Sequence, residues 1–424
     1  MRRIARVASS LPLIVIVALG LRLGYVWQYQ QPRTRQALST IPFLLEPGNI
    51  AYALASGKGF SSPFRAETGP TAWMTPVYPL LIAGCFRLFG IYSFGSYVAA
   101  VLLNCVFSTL VCVPLFLAGR RIRGEAVASV AAWLWAVFPN AIKFTVSIWD
   151  VSLSALLVAA IVWATLRMAE GRSAAGWIAY GLLWGFAAMT NATLVALVPF
   201  FLGWLAYRTR DLARPAVALC AALLCCAPWT VRNYEVFHAF VPLRSVMGLQ
   251  LWMGNNERTQ GRWAGPLHPI DNAADRARYI ELGETAYMEE KKQEAMQFIL
   301  ANPAREIDLI WSRFVAFWSG GSQHPLDDLM SRHSLAFGGI LLFNLLAAIA
   351  ALGGVVVLVR EDVPTAFPVI LFPIIYPLAA YLTLASARYR LPVDPVVLLL
   401  AAVALKKSGG LHGGGPRRRK RCLT

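Results

Sequence analysis

Residues 41–79, IPFLLEPGNIAYALASGKGFSSPFRAETGPTAWMTPVYP, separate the first long apolar run of the chain from the second. Their prolines and glycines, with Glu46, Lys58, Arg65 and Glu67, exclude the stretch from hydrocarbon, where irregular backbone leaves amides unsatisfied unless protein or water covers them. It therefore reads as a membrane-flanking loop. A long loop without regular structure is usually functional or disordered. The aromatics Phe43, Tyr52, Phe60, Phe64, Trp73 and Tyr78 argue against disorder. The stretch reads as an ordered loop carrying chemistry, with Glu46 its most informative residue.

The whole composition agrees. Of 424 residues, 57% are hydrophobic and 14% charged, which excludes a soluble protein and indicates a polytopic all-α membrane protein. The formal charge of +17 falls mostly on one side once the spans are drawn with a cytoplasmic N-terminus, as the positive-inside rule requires. The basic tail RRRKR at 417–421 then meets anionic headgroups rather than nucleic acid. Six cysteines, Cys85, Cys105, Cys112, Cys220, Cys225 and Cys226, lie in apolar runs, and Cys422 is in the tail. Their spacing suggests neither metal ligation nor disulfides. The opening MRRIARVASSLPLIVIVALGL has the basic start and apolar centre of a secretory signal but no clear cleavage site, so it reads as an uncleaved first helix.

About ten spans follow from hydropathy: 7–29, 92–119, 125–139, 150–166, 174–190, 192–207, 215–231, 334–359, 365–384 and 392–405. Arg22 falls near one end of the first, where it either snorkels to the interface or points into a polar site. PVYPLLIAGCFRLFG at 76–90 suggests a helix in the interface. Several spans are short, so the turns FPNAIKFTVSIWD (138–150) and MTN (189–191) lie within the outer leaflet. Asn140, Lys143, Asp150, Thr190 and Asn191 should then line a cavity open to the outer face.

These spans divide the chain into an N-terminal transmembrane module at 1–231, with a catalytic first outer loop at 30–91, an outer domain at 232–331, transmembrane helices at 332–405, and a basic cytoplasmic tail at 406–424. Within the outer domain, HAFVPLRSVMGLQLWMGNN at 238–256 suggests a short hairpin, giving a small α(+β) domain. Residues 272–300 and 304–318 read as helices, the second ending in the interfacial WSRFVAFW.

No Walker, GxGxxG or HExxH pattern occurs. The histidines His238, His268, His324, His333 and His412 lie in no recognisable catalytic pattern; His268 and His324 each precede a proline, so they either pack on the surface or bind an acceptor or a metal. Glu46 follows IPFLL and precedes Pro-Gly, where apolar surroundings raise a carboxyl's pKa and make it a better base; alternatively it caps the helix NIAYALAS. Asp150 is either a second acid of the cavity or the N-cap of its span. The cations Lys58, Lys143, Arg232, Arg244, Arg388 and Arg390 fall near outer ends of spans. In SARYRLP (386–392), two arginines can face one anion if the backbone is extended, or can simply meet lipid phosphates. Acid and cation beside one cavity suit an anionic, membrane-borne substrate.

In the order of these features the chain resembles the polyprenyl-phosphate-sugar-dependent glycosyltransferases of the GT-C fold, especially bacterial relatives of protein mannosyltransferases and lipid A aminoarabinose transferases. The residues that carry the resemblance are Glu46 before GKGF (57–60), PVYP (76–79), Asp150 opening the fourth span, and RYRLP before the last. The lone Glu46 departs from the aspartate, often with a neighbouring acid, that most relatives carry.

The resemblance implies a GT-C-like bundle in a bacterial-type inner membrane, both termini cytoplasmic and the site periplasmic or extracellular. It implies a polyprenyl-phosphate-linked sugar as donor and a glycan, lipid or protein hydroxyl as acceptor. In that reading Glu46 is general base and Asp150 orients the acceptor or replaces Glu46. Arg388 and Arg390, with Lys143 and Arg232, hold the phosphate; Tyr78, Asn255 and His268 bind acceptor or donor sugar; and inversion follows. No cofactor is required; a divalent metal is compatible with the sequence but not indicated by it.

Two other classes compete. An O-antigen ligase or polymerase using a lipid-diphosphate donor places its large outer loop late in the chain. Such enzymes lack an acidic first loop, so the position of Glu46 speaks against that class; a lipid or solute transporter shows inverted repeats, which this sequence lacks.

Overall fold

The computed structural model describes residues 10–171, 173–259, 265–325, 328, 335–361, 363 and 366–408. The basic tail, Cys422, His333 and His412 lie outside them. The described residues of the ten expected spans lie mostly in helices. Among the described residues, six are long and apolar enough to cross a membrane, and a seventh is formed if Glu125–Ala136 and Pro139–Val146, bent by 49°, count as one. The rest are shorter: Ala174–Ala188, Ala366–Leu382 and Asp394–Ser408. The chain is a multi-pass membrane protein.

Composition explains the short ones. Asp394–Ser408 is apolar on all sides and its residues Val396 to Val403 are buried, so it fills the centre of the bundle against Leu335–Arg360 and Glu125–Ala136. Ala174–Ala188 packs on Ala213–Phe237 through small residues: a Cβ on Gly181 would meet the Ala218 carbonyl oxygen at 2.1 Å. Close backbone approach of this kind is the usual basis of helix association in lipid.

Arg22 neither snorkels nor enters a cavity. It is fully buried, donating to Ser108 Oγ at 2.8 Å and to the carbonyls of Ala18, Trp135 and Ala136 at 2.9, 3.3 and 3.1 Å. Trp135 and Ala136 end the helix that bends before Pro139, which has no N–H to give the Trp135 carbonyl, so Arg22 adds donors at the break.

The segment 238–256 is not a hairpin. Among the described residues there is no strand, only an isolated bridge between Ser61 and Pro70, so the expected β component is corrected to helix. Leu249 and Met253, four residues apart, are both buried on the helix Met247–Gly254, which packs against Glu284–Ala301. LQLWM satisfies a period of two or of four, and the available neighbour selects four. The expected helix over 272–300 is interrupted at Gly283, whose φ of 76° ends Ala273–Leu282 before Glu284–Ala301 begins.

The first loop and these later helices share one core. Ile50, Phe60, Phe64 and Trp73 from the loop cluster with Leu249, Met253, Tyr279 and Met288. The buried Glu284 ties them together. Its Oε1 accepts from the Ala72 amide and Ser245 Oγ, both at 2.7 Å, and its Oε2 accepts from Tyr279 Oη at 2.6 Å and from Thr71 Oγ1.

Candidate active site

The loop delivers Glu46 through a tight turn. Leu45 is the N-cap of Glu46–Ala55 and Pro47 occupies the first turn, where its missing N–H costs nothing. A Cβ on Gly48 would come within 2.0 Å of the Phe43 carbonyl oxygen, so the chain folds back on itself only with glycine there. Asn49 Nδ2 then donates to the carbonyl of Pro63 at 3.0 Å, closing the far side of the loop. The helix ends in a Schellman pattern: Lys58 N donates to Ala53 O at 2.9 Å and Gly57 N to Leu54 O at 3.3 Å, with Gly57 at a φ of 79°. This is the physical role of the GKGF turn.

Glu46 is 4% exposed and lines a cavity of about 420 Å³ together with Asp150, Arg244, His268, Arg388 and Tyr389. Its Oε1 lies 3.2 Å from Nε2 of His268. Burial pushes the Glu46 carboxyl above its ordinary 4.5, and the positive charge of Arg388 only partly opposes that. Burial, with the positive charge of Arg388 beside it, holds His268 down at about 3, which disfavours an imidazolium and hence an ion pair across this contact.

Asp150 occupies the N-cap position of Val151–Met168 but makes no capping bond. Its Oδ2 instead accepts from Ser154 Oγ at 2.8 Å, and Asn191 Nδ2 donates to Ser154 Oγ at 3.4 Å and to Tyr376 Oη at 3.2 Å. Burial raises the Asp150 carboxyl too, against the Ser154 hydrogen bond and the charges of Arg388 and Arg244. Thr190 and Asn191 line the same cavity, as their short flanking spans predict.

Of the four expected phosphate-binding cations, only Arg388 reaches this cavity. Its guanidinium lies 3.8 Å from the Trp149 ring centroid and donates to Tyr389 Oη at 3.1 Å. Arg390 is turned into the protein, paired with Asp394 at 2.8 Å and donating to the carbonyls of Asn344, at 3.2 Å, and Trp318. Lys143 is exposed and outside the cavity lining. Arg232 pins the first loop by donating to Thr71 O at 2.7 Å and Phe60 O at 2.8 Å. Asn140, expected beside the cavity, instead donates to Asn344 Oδ1 at 3.3 Å.

The sugar-binding candidates also separate. His268 is in the cavity. Tyr78 is behind it: its Oη donates to Asn104 Oδ1 at 3.2 Å, and Asn104 Nδ2 donates to Ser147 O at 2.8 Å, which braces the turn leading to Trp149 and Asp150. Asn255 accepts from Arg313 at 2.7 Å and donates to Leu382 O at 2.9 Å, a joint between helices.

Arg244 is the cavity cation that the sequence reading left unassigned. It donates to Gln250 Oε1 at 2.6 Å; its sequence signal, a cation near the outer end of a span, is shared with Arg232 and Arg390, which do not line the cavity. Among the described residues, no three His, Cys, Asp or Glu side chains gather closely enough to hold a metal ion.

Residues 73–231 match the family model described as dolichyl-phosphate-mannose-protein mannosyltransferase. No curated protein matches the chain by sequence. Among solved structures, the chain overlays the Archaeoglobus fulgidus oligosaccharyltransferase AglB in complex with an inhibitory peptide and a dolichol-phosphate, with a TM-score of 0.59 and 12% identity over 96% of this chain and 52% of that one. The same organism's enzyme in complex with Zn and sulfate gives 0.55 and 12%, over 94% and 48%. ArnT from Cupriavidus metallidurans, bound to undecaprenyl phosphate, gives 0.40 and 13%, over 94% and 78%. The chain spans about half the length of the archaeal structures it matches. It is thus a membrane protein of the GT-C fold, and its residues 73–231 match the dolichyl-phosphate-mannose-protein mannosyltransferase family model.

Proposed function

We propose that this protein transfers a sugar from a polyprenyl-phosphate carrier to an acceptor hydroxyl, at a site facing the outer side of the membrane. The observation that carries the reading is the pairing, in one cavity, of two buried carboxyls, Glu46 and Asp150, with two guanidiniums, Arg388 and Arg244. An apolar wall that includes Val195, Ala196, Ala379 and Ala380 continues the same cavity and suits a lipid chain. The family match and the fold support the same class of reaction.

In this reading Glu46 takes the acceptor's proton as the acceptor oxygen bonds to the anomeric carbon. The bond from that carbon to the phosphate oxygen breaks, and the electron pair leaves with the phosphate. Arg388 and Arg244 stabilise the charge that develops there. Asp150, held by Ser154, orients the acceptor. Attack opposite the departing phosphate inverts the anomeric carbon.

The test uses the full chain in lipid nanodiscs with mannosyl polyprenyl phosphate as donor and a panel of glycan, lipid and peptide acceptors. Release of polyprenyl phosphate coupled to acceptor labelling supports the reading. Solute uptake by proteoliposomes without any sugar transfer overturns it.

A further inference from the structure

The histidine beside Glu46 is held by the backbone in a single tautomer. His268 Nδ1 accepts the Ile270 amide at 3.1 Å, so that nitrogen carries no proton. The turn is closed by the amides of Asp271 and Asn272, which donate to the His268 carbonyl at 3.0 and 2.9 Å. The ring is wedged edge-on against Trp73 and Phe64, with centroids 5.3 and 5.9 Å away. In a neutral imidazole whose Nδ1 accepts, the proton sits on Nε2. That is the atom 3.2 Å from Glu46 Oε1. A doubly protonated ring would set an N–H against the Ile270 N–H and lose that bond.

We propose that His268 is a positioning residue for Glu46: its Nε2–H holds Oε1 of the carboxylate and leaves Oε2 to receive the acceptor's proton. The proposal rests on the reading of Glu46 as the base. It gives His268 neither the task of a base nor that of a sugar ligand. The charged groups facing Glu46 are Arg388 from the helix Ala387–Arg390, Asp271 from the turn after His268, and Arg65 from its own loop; Arg388 also faces His268. A hydrogen bond to the ionised carboxylate favours that form, so losing the His268 donor shifts Glu46 toward its protonated state.

Two experiments test this. In full-length protein labelled with ¹⁵N-histidine in nanodiscs, a variant with His238, His324, His333 and His412 all changed to Gln leaves His268 as the only signal. The expected result is an imidazole with protonated Nε2 and bare Nδ1, unchanged from pH 8 down to about pH 5, well below the ordinary histidine pKa of about 6.5. The opposite tautomer, or titration near 6.5, overturns the proposal.

The second experiment follows transfer from mannosyl polyprenyl phosphate against pH, comparing each His268 variant with the otherwise unaltered chain. His268→Ala should lower kcat about 10²-fold and move the acid limb to higher pH. His268→Gln, whose amide N–H replaces the donor, should recover much of both. A loss of rate with an unmoved limb and no recovery overturns the proposal. Retained activity in Glu46→Gln removes the base and the proposal with it, an outcome that the NMR experiment does not mimic.

Discussion

Arg388 and Arg390 point in different directions although only Tyr389 separates them. In an extended strand they would share a face, but Ala387–Arg390 is a turn of helix, where residues two apart diverge by roughly 200°. Arg388 lies on Trp149 in the cavity, whereas Arg390 is buried against Asp394. Arg388→Ala should therefore weaken binding of undecaprenyl phosphate at least tenfold, about 1.4 kcal/mol, with little change in melting temperature. Arg390→Ala should instead destabilise the fold by about 3–5 kcal/mol, the usual cost of orphaning a buried partner. Replacing both members, Arg390→Met with Asp394→Leu, should restore most of that stability. Equal stability of the two single variants in a thermal melt would contradict the division.

Glu46→Gln should reduce transfer by about 10²–10⁴-fold, the range assigned to general base catalysis, while the protein still folds, because glutamine keeps the side chain's shape at a site where burial disfavours the charge. Full activity in this variant would sink the assignment.

The same carboxyl sets a pH dependence. A base must be ionised, and burial raises Glu46 above its ordinary 4.5. Activity should therefore start to fall, on acidification, at a higher pH than an exposed glutamate would give. An acid limb of kcat/KM at or below the ordinary value would count against a buried base.

Stability should run the opposite way. The folded values of Glu46 and Asp150 both lie above their ordinary ones, so the fold favours their neutral forms. Their stabilising contribution is complete below the unfolded values and is lost as pH rises through the folded values. Glu46→Gln and Asp150→Asn should each melt higher than the parent at pH 8, with the gap closing toward pH 4. A lower melting temperature at pH 8 would contradict this.

Glu284 should control whether the first loop is seated. Glu284→Ala leaves Thr71, Ser245, Tyr279 and the Ala72 amide without their buried acceptor, at about 1–3 kcal/mol for an unsatisfied group. The loop should loosen while the bundle stays folded. The check is limited trypsin digestion: new cleavage after Lys58 or Arg65 with intact spans and a loss of transfer. An uncleaved, active Glu284→Ala protein would remove the latch.

The amino-acid order by itself determined the membrane class, the helical segments and the ordered first loop, because hydropathy and the needs of backbone amides are local properties that lipid enforces everywhere. It also singled out Glu46, through a loop whose composition excludes it from hydrocarbon, and Asp150, Thr190 and Asn191, through turns that short flanking spans draw into the outer leaflet. Only tertiary packing decided which charged side chains meet. Arg22, Arg232 and Arg390 have the same local signature as Arg388 and Arg244, a cation at the end of an apolar run. Three of these five satisfy buried carbonyls or a carboxylate, and two face the cavity. The rotation of each helix and the break at each turn select between those fates, and both depend on neighbours far away in the chain. His268 meets Glu46 for the same reason: the turn at Ile270 and the ring cage of Trp73 and Phe64 exist only once the loop and the later helices share their core.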